Sequence, residues 1–298
     1  MRILAALLCA AAATSAIAAD PPTMKTPNDI IAAAPASDWI AIPAGDLLQI
    51  ELGDGRKVVM QLATPFAPVH VANIKALAKA GWWNGASIYR VQDNYVVQWG
   101  NNAGEKPLPE GVVAKPPAEY SRSLKGLTVE PLNFPDPYAP ATGFSSGWPM
   151  AFDLKDESAN LAHCYGMVGV GRDLNPDTGT GGELYAVIGH APRHLDRNIA
   201  LVGRIISGFE AMTALPRGTE ALGFYKDRTS DVPIKRARLV SDLPEAEQPR
   251  FEYLGGDSFR QYVHLRANRR DAFYLRPAGG VDVCNVNVPV RAVPGSAK

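Results

Sequence analysis

The chain has 298 residues, 46% of them hydrophobic, and carries 30 Lys and Arg against 30 Asp and Glu. That is enough apolar material for a sizeable core, and the even charge balance argues against a nucleic acid as partner.

Met1-Arg2 and the Ala/Leu-rich run to Ala19 have the charged start, apolar middle and small-residue exit of a secretory signal peptide over 1–18, with cleavage after Ala16-Ile17-Ala18. The run is barely long enough to span a bilayer and no basic stop follows it, so no membrane anchor is expected in the mature form. Export would remove Cys9 and leave Cys164 and Cys284 in a periplasmic or secreted, oxidising setting. Residues 19–45, rich in Ala and Pro and without a sustained period, read as a linker or loosely docked N-terminal arm.

The folded part is expected from Asp46. Leu47-Leu48-Gln49-Ile50-Glu51-Leu52 and Lys57-Val58-Val59-Met60-Gln61-Leu62 flank Gly53-Asp54-Gly55-Arg56, which reads as a hairpin. Over 69–80, Val71, Ile74, Leu77 and Ala78 recur at helical spacing, with Pro68 suited to the first turn and Gly81 as a stop. Residues 88–100 form a second hairpin, two apolar runs around a Gln92-Asp93-Asn94 turn. Arg90 and Gln98 interrupt those strands, which is unfavourable in a buried sheet unless the polar groups have a task. With Tyr95 beside them they make a surface able to grip a peptide.

From 101 to about 160 the chain is dense in Pro, Gly and Ser and reads as a long, partly ordered insertion. Strands are expected again over 165–170, 183–188 and 199–206, then a helix over 207–215 and a strand over 234–240 with one wet face. Beyond 244, residues 273–275 and 281–290 flank Pro277-Ala278-Gly279-Gly280 as in a hairpin, with a bulge expected at Cys284-Asn285.

Two patterns imitate other chemistry. Gly143-Phe144-Ser145-Ser146-Gly147, followed by Asp173 and His190, satisfies a secreted serine hydrolase's Gly-x-Ser-x-Gly signature, but the surrounding Pro137, Pro140 and Pro149 oppose the strand and helix a nucleophile elbow requires. His190 and His194 have metal-ligand spacing, yet Pro192 lies between them and no acidic residue completes the set, so they read as two loop histidines and no metal is expected.

The order of elements and the residues on them resemble a cyclophilin-type peptidylprolyl isomerase of the bacterial exported kind. The resemblance runs over roughly 46–240. Residues 67–83 resemble the family's aP.tv.NF..L...G.Y pattern, with Asn73, Leu77 and Trp83 in place, and 88–100 resemble its FHRV...F..QGG signature. This implies an all-β fold, a closed antiparallel eight-stranded barrel capped by two helices, over 46–243 with an insertion at about 101–160. A C-terminal β extension would occupy 244–298. The implied activity is cis-trans isomerisation of X-Pro bonds, assisting the folding of exported proteins, with proline-containing polypeptides as partners and no cofactor.

Residue by residue, Arg90 falls on the family's catalytic arginine, Tyr95 on the aromatic wall of the proline pocket, Val96 on its apolar neighbour and Gln98 on the glutamine that holds substrate backbone. Val170-Gly171-Arg172 falls on a Met-Ala-Arg variant segment, and Glu183-Leu184-Tyr185 on Gln-Phe-Phe. Glu183 would then touch substrate and Tyr185 would form the pocket floor. Leu195 and Ile199 lie in a stretch similar to LDGKHVVFG. The chain departs from the pattern at Tyr89 (His), Trp99 (Gly), Glu183 (Gln), Tyr185 (Phe) and Ile199 (His). These departures make a catalytically weak prolyl-peptide binding module the alternative.

The residues suit the chemistry without the resemblance. Rotation about X-Pro has a barrier of about 18–20 kcal/mol because the amide is conjugated, and no covalent bond needs to be made or broken. An apolar pocket for the ring, plus one cation facing the twisted amide, lowers that barrier by binding the twisted form better. Cys164 and Cys284 either form a disulfide pinning the tail beside the strand at 165–170 or remain two separate buried thiols.

Overall fold

A computed structural model describes residues 25–101, 106–271 and 273–296. The expected signal peptide, its cleavage site and Cys9 lie outside the described residues.

The chain enters through α1 (Pro27–Ala33) and β1 (Trp39–Ala41). Thr26 and Asp29 make a reciprocal capping box at the start of α1, and Pro27 occupies its first turn. Over residues 25–45 this corrects the reading of a linker or loosely docked arm, because Ile30 and Trp39 are buried and β1 pairs with a strand near the C-terminus. The elements are too short for their apolar residues to show a period.

Hairpin β2 (Leu47–Leu52) and β3 (Lys57–Leu62) turns through Gly55, whose φ of +88° suits glycine. Next come α2 (Pro68–Lys79), β4 (Ser87–Val91) and β5 (Val96–Gly100). From residue 106 the insertion is ordered rather than partly ordered. It carries β6 (Arg122–Ser123), β7 (Glu130–Pro131), β8 (Ala141–Ser145), β9 (Trp148–Asp153) and β10 (Ser158–Leu161) in one antiparallel sheet, order β6-β10-β9-β8-β7. The Gly-x-Ser-x-Gly match lies on the β8–β9 hairpin, which supplies no helix after the serine.

The remaining barrel strands are β11 (Met167–Val170), β12 (Leu184–Val187), β13 (Leu201–Ser207) and β14 (Val232–Leu239). Between the last two lies α3 (Glu210–Thr213), a single turn where a helix over 207–215 was expected. Gly208, at φ +70°, cannot belong to a right-handed helix and delays its start. The barrel closes in the order β11-β12-β5-β4-β14-β2-β3-β13, every pair antiparallel. Its interior holds Leu48, Ile50, Met60, Val97 and Val202, and both α2 (Ile74, Leu77) and α3 (Ala211, Met212) pack into that cluster as caps.

The C-terminal extension contains β15 (Phe251–Leu254), α4 (Gly256–Ala267) and β16 (Val290–Ala292), with β15 between β1 and β16. It is therefore mixed α and β. The hairpin expected around 277–280 is not formed, since β16 pairs with β15, and a 3-10 turn at Val283–Asn285 stands where a bulge was expected. Cys164, just before β11, is disulfide-bonded to Cys284, their Cα atoms 4.8 Å apart.

A second buried cluster joins the insertion (Phe144, Met150, Phe152) to α4 (Phe259, Tyr262) and to Ile30 of α1. Arg204 on β13 clamps this layer to the barrel, donating to Gln61 Oε1 (2.9 Å) and Gly147 O (2.7 Å) with its guanidinium over the Trp148 ring. Burial lowers its pKa to about 10. Among the described residues no helix is long and apolar enough to cross a membrane.

Candidate active site

The site begins with an irregularity in the β4–β5 hairpin. Ile88 opposes Trp99 and Arg90 opposes Gln98, so Tyr89 is an extra residue on β4. Strand alternation turns Tyr89 to the Gln98 face, and the bulge then returns Arg90 to that face instead of the core. Val91 and Val97 resume the inward pattern.

Beside this hairpin lies an open cleft of about 410 Å³. Arg90, Tyr95, Val96 and Gln98 form one side, and Val170, Gly171 and Arg172 follow from the end of β11. Tyr185 on β12 makes the floor, with Leu195 and Ile199 from the loop before β13. Val96, Tyr185 and Val187 are buried together, with Tyr95 and Ile199 packed against them, and make an apolar cup. The cup needs Gly169 opposite, where a Cβ would run into the Tyr185 ring.

Arg90 is held on three sides: Nε donates to Leu222 O (2.7 Å), one terminal nitrogen to Gln98 Oε1 (2.9 Å) and the other to Gln92 Oε1 (2.5 Å). Its guanidinium carbon stands 5.9 Å from the Tyr95 ring centre and 5.4 Å from that of Phe224. Burial lowers its pKa, and the groups that raise it are Tyr95, Tyr89 and Tyr185, with no carboxylate among them. A guanidinium stays protonated under such a shift, so Arg90 is a fixed positive charge in the cleft whose own hydrogen-bond partners are all neutral.

One expected contact is placed differently. Glu183 does not line the cleft; it sits behind Gln98, where its Oε2 accepts from the Tyr89 hydroxyl at 2.5 Å. Gln98 Nε2 in turn donates to the Tyr89 oxygen at 2.7 Å. Arg172 reaches the rim, but its donors go to the backbone carbonyls of Asn198 and Asp173 and its guanidinium lies over Tyr120 of the insertion. His194 stacks on Tyr95, with 6.5 Å between ring centres.

Several residues of the site carry no signal in the local sequence. Leu222 and Phe224 complete the cleft from an irregular loop, and Leu222 presents its carbonyl to Arg90 from a left-handed conformation, φ +60°. His163 lies under the floor, its Nε2 3.0 Å from the Tyr185 hydroxyl and its Nδ1 2.8 Å from Asp196 Oδ1. A periodicity argument has no grip on a lone histidine between strands or on a loop that forms one isolated bridge to β4.

Residues 47–239 match the family described as cyclophilin type peptidyl-prolyl cis-trans isomerase/CLD. A probable peptidyl-prolyl cis-trans isomerase of Brucella suis is 26% identical over 175 residues, which cover 59% of this chain and 72% of that protein. Its Brucella abortus counterpart matches to the same extent. The crystal structure of cyclophilin AquaCyp293 from Hirschia baltica shares the fold at a TM-score of 0.67 and 22% identity, over 92% of this chain and 99% of that one. The chain belongs to the cyclophilin-type peptidyl-prolyl cis-trans isomerase family. Isomerisation of X-Pro bonds is the activity of that family, and the fold above is its eight-stranded barrel.

Proposed function

We propose that this cleft binds the proline ring of an extended polypeptide in the Val96–Tyr185–Ile199 cup and that Arg90 catalyses rotation of the bond before it. Gln98 has one Nε2 hydrogen committed to Tyr89 and one left for a substrate carbonyl. The observation that carries the reading is Arg90, a guanidinium held by neutral acceptors beside an apolar cup. As the X-Pro amide twists it loses conjugation, its nitrogen becomes a hydrogen-bond acceptor, and a cation fixed there stabilises the twisted form more than either planar isomer. Tyr95 bounds the cup, and Val170, Gly171 and Leu195 shape its rim.

The substrates would be X-Pro segments of exported proteins, with the mature protein in the periplasm or secreted. What supports this is the signal-peptide pattern over 1–18 and the Cys164–Cys284 disulfide, a bond that persists in oxidising compartments.

The test compares wild type with Arg90→Ala on an X-Pro peptide. The expected result is a fall in kcat/KM on the order of a hundredfold with peptide affinity nearly unchanged. Equal activity in both would remove Arg90 from the catalytic role. Peptide binding with no catalysis in the wild type would make the chain a prolyl-peptide binding module.

A further inference from the structure

Four side chains form one directed hydrogen-bond chain behind the cleft wall. Arg90 donates to Gln98 Oε1 (2.9 Å), Gln98 Nε2 to the Tyr89 oxygen (2.7 Å), and the Tyr89 hydroxyl to Glu183 Oε2 (2.5 Å). Every donor points toward the carboxylate. Gly100 makes room for it, because a Cβ there would collide with the Glu183 carboxyl group. The bulge at Tyr89 supplies the middle link, so the chain rests on the register of β4, the residue directly before β12 and a bare glycine together.

We infer that Glu183 is a positioning residue which, through Tyr89, fixes which way round the Gln98 amide lies, so that the ionisation of Glu183 switches the peptide-holding group of the cleft. The inference rests on the isomerase reading above. Ionised Glu183 can only accept, so Tyr89 must donate to it and can receive only from Gln98 Nε2. Gln98 Oε1 then faces Arg90, and the second Nε2 hydrogen is free for substrate. Protonated Glu183 becomes a donor. Tyr89 can then accept from Glu183 and donate back toward Gln98, a direction that favours the flipped amide and sets its NH2 against the Arg90 guanidinium.

The surroundings put the switch within reach of neutral pH. Burial raises the Glu183 pKa to about 7, opposed by the Tyr89 hydroxyl and the backbone N–H of Asn101. The nearby cations are engaged elsewhere: Arg172 on Asn198 O and Asp173 O, and Lys106 on Trp82 O with its Nζ over the Trp82 ring. Burial, and then Glu183, raise the Tyr89 pKa, so the phenol stays protonated throughout.

The experiment follows kcat/KM on an X-Pro peptide without titrating groups from about pH 5.5 to about pH 8.5 in wild type, Glu183→Gln and Tyr89→Phe. Wild type should gain about tenfold, the value of one well-made hydrogen bond, with a midpoint near the Glu183 pKa. Both variants should be flat across the range. Two variants guard against one failing to fold. A wild-type profile that is flat, or one that Glu183→Gln reproduces, overturns the inference. If wild type is inactive at every pH, the isomerase reading fails by itself, and the side-chain NH2 resonances of Gln98 decide the switch. A shift with the same midpoint in wild type, absent in Glu183→Gln, upholds it, and resonances that stay fixed in wild type overturn it.

Discussion

A phenol at the floor of an apolar cup brings a hydroxyl that must be satisfied, and His163 satisfies it. Asp196 can only accept, so His163 Nδ1 carries its proton toward Asp196 Oδ1, 2.8 Å away. Burial lowers the His163 pKa, keeping the ring neutral, and Nε2 therefore accepts from the Tyr185 hydroxyl at 3.0 Å. Tyr185→Phe should leave that buried nitrogen without a donor and lower stability by about 1–3 kcal/mol in denaturant titration. The ring face toward the cup is unchanged, so X-Pro peptide affinity should move little. An equal loss of affinity and stability would mean that the hydroxyl also shapes the cup. Arg90, Gln98 and Tyr95 were legible as a set because polar groups on an apolar hairpin stand out. His163, which acts through a residue 22 positions away, was not.

Whole elements divide along the same line. Barrel strands such as β2 and β3 carry their own apolar runs and a glycine turn, and α2 shows its buried face at helical spacing, so both could be read locally. The insertion could not, because its strands are two to six residues long and owe their burial to α1 and α4. Yet it supports the site. Its Glu119 accepts from the Val69 and His70 amides at the start of α2, where Ala67 offers no side-chain cap. Its Asp136 accepts from Arg193 (3.0 Å), whose Nε also donates to Asp196 (2.5 Å), the carboxylate that orients His163. All three charges are buried. Arg193→Ala should destabilise the protein by about 3–5 kcal/mol, because two buried carboxylates lose their cation. In an Asp136→Asn background the same change should cost less, since one of those carboxylates is gone; a double-mutant cycle by chemical denaturation measures the difference.

At the scale of the molecule there are two main cores. One fills the barrel, and the other holds the insertion, α1, α4 and the tail against its outside. The Cys164–Cys284 disulfide belongs to the second and spans 120 residues of sequence, including β11 to β14 and β15 to α4. A cross-link over a loop of that length contributes about 4–5 kcal/mol when unstrained, by restricting the unfolded chain. Protein comprising residues 19–298, denatured without reductant, should therefore show no free thiols, and two after reduction. The consequence of reduction should be uneven. The barrel keeps its closed hydrogen-bond ladder and its own apolar interior, whereas the outer layer relies on the covalent tie, on Arg204 and on short strands. Amide exchange after reduction should accelerate in β8, β9 and β15 before it does in β2, β3 and β5. Peptide binding at the Arg90 cleft, built mainly on barrel strands, should survive reduction at temperatures where the outer layer has opened. Simultaneous loss of protection in both layers would show instead that the two cores unfold as one cooperative unit.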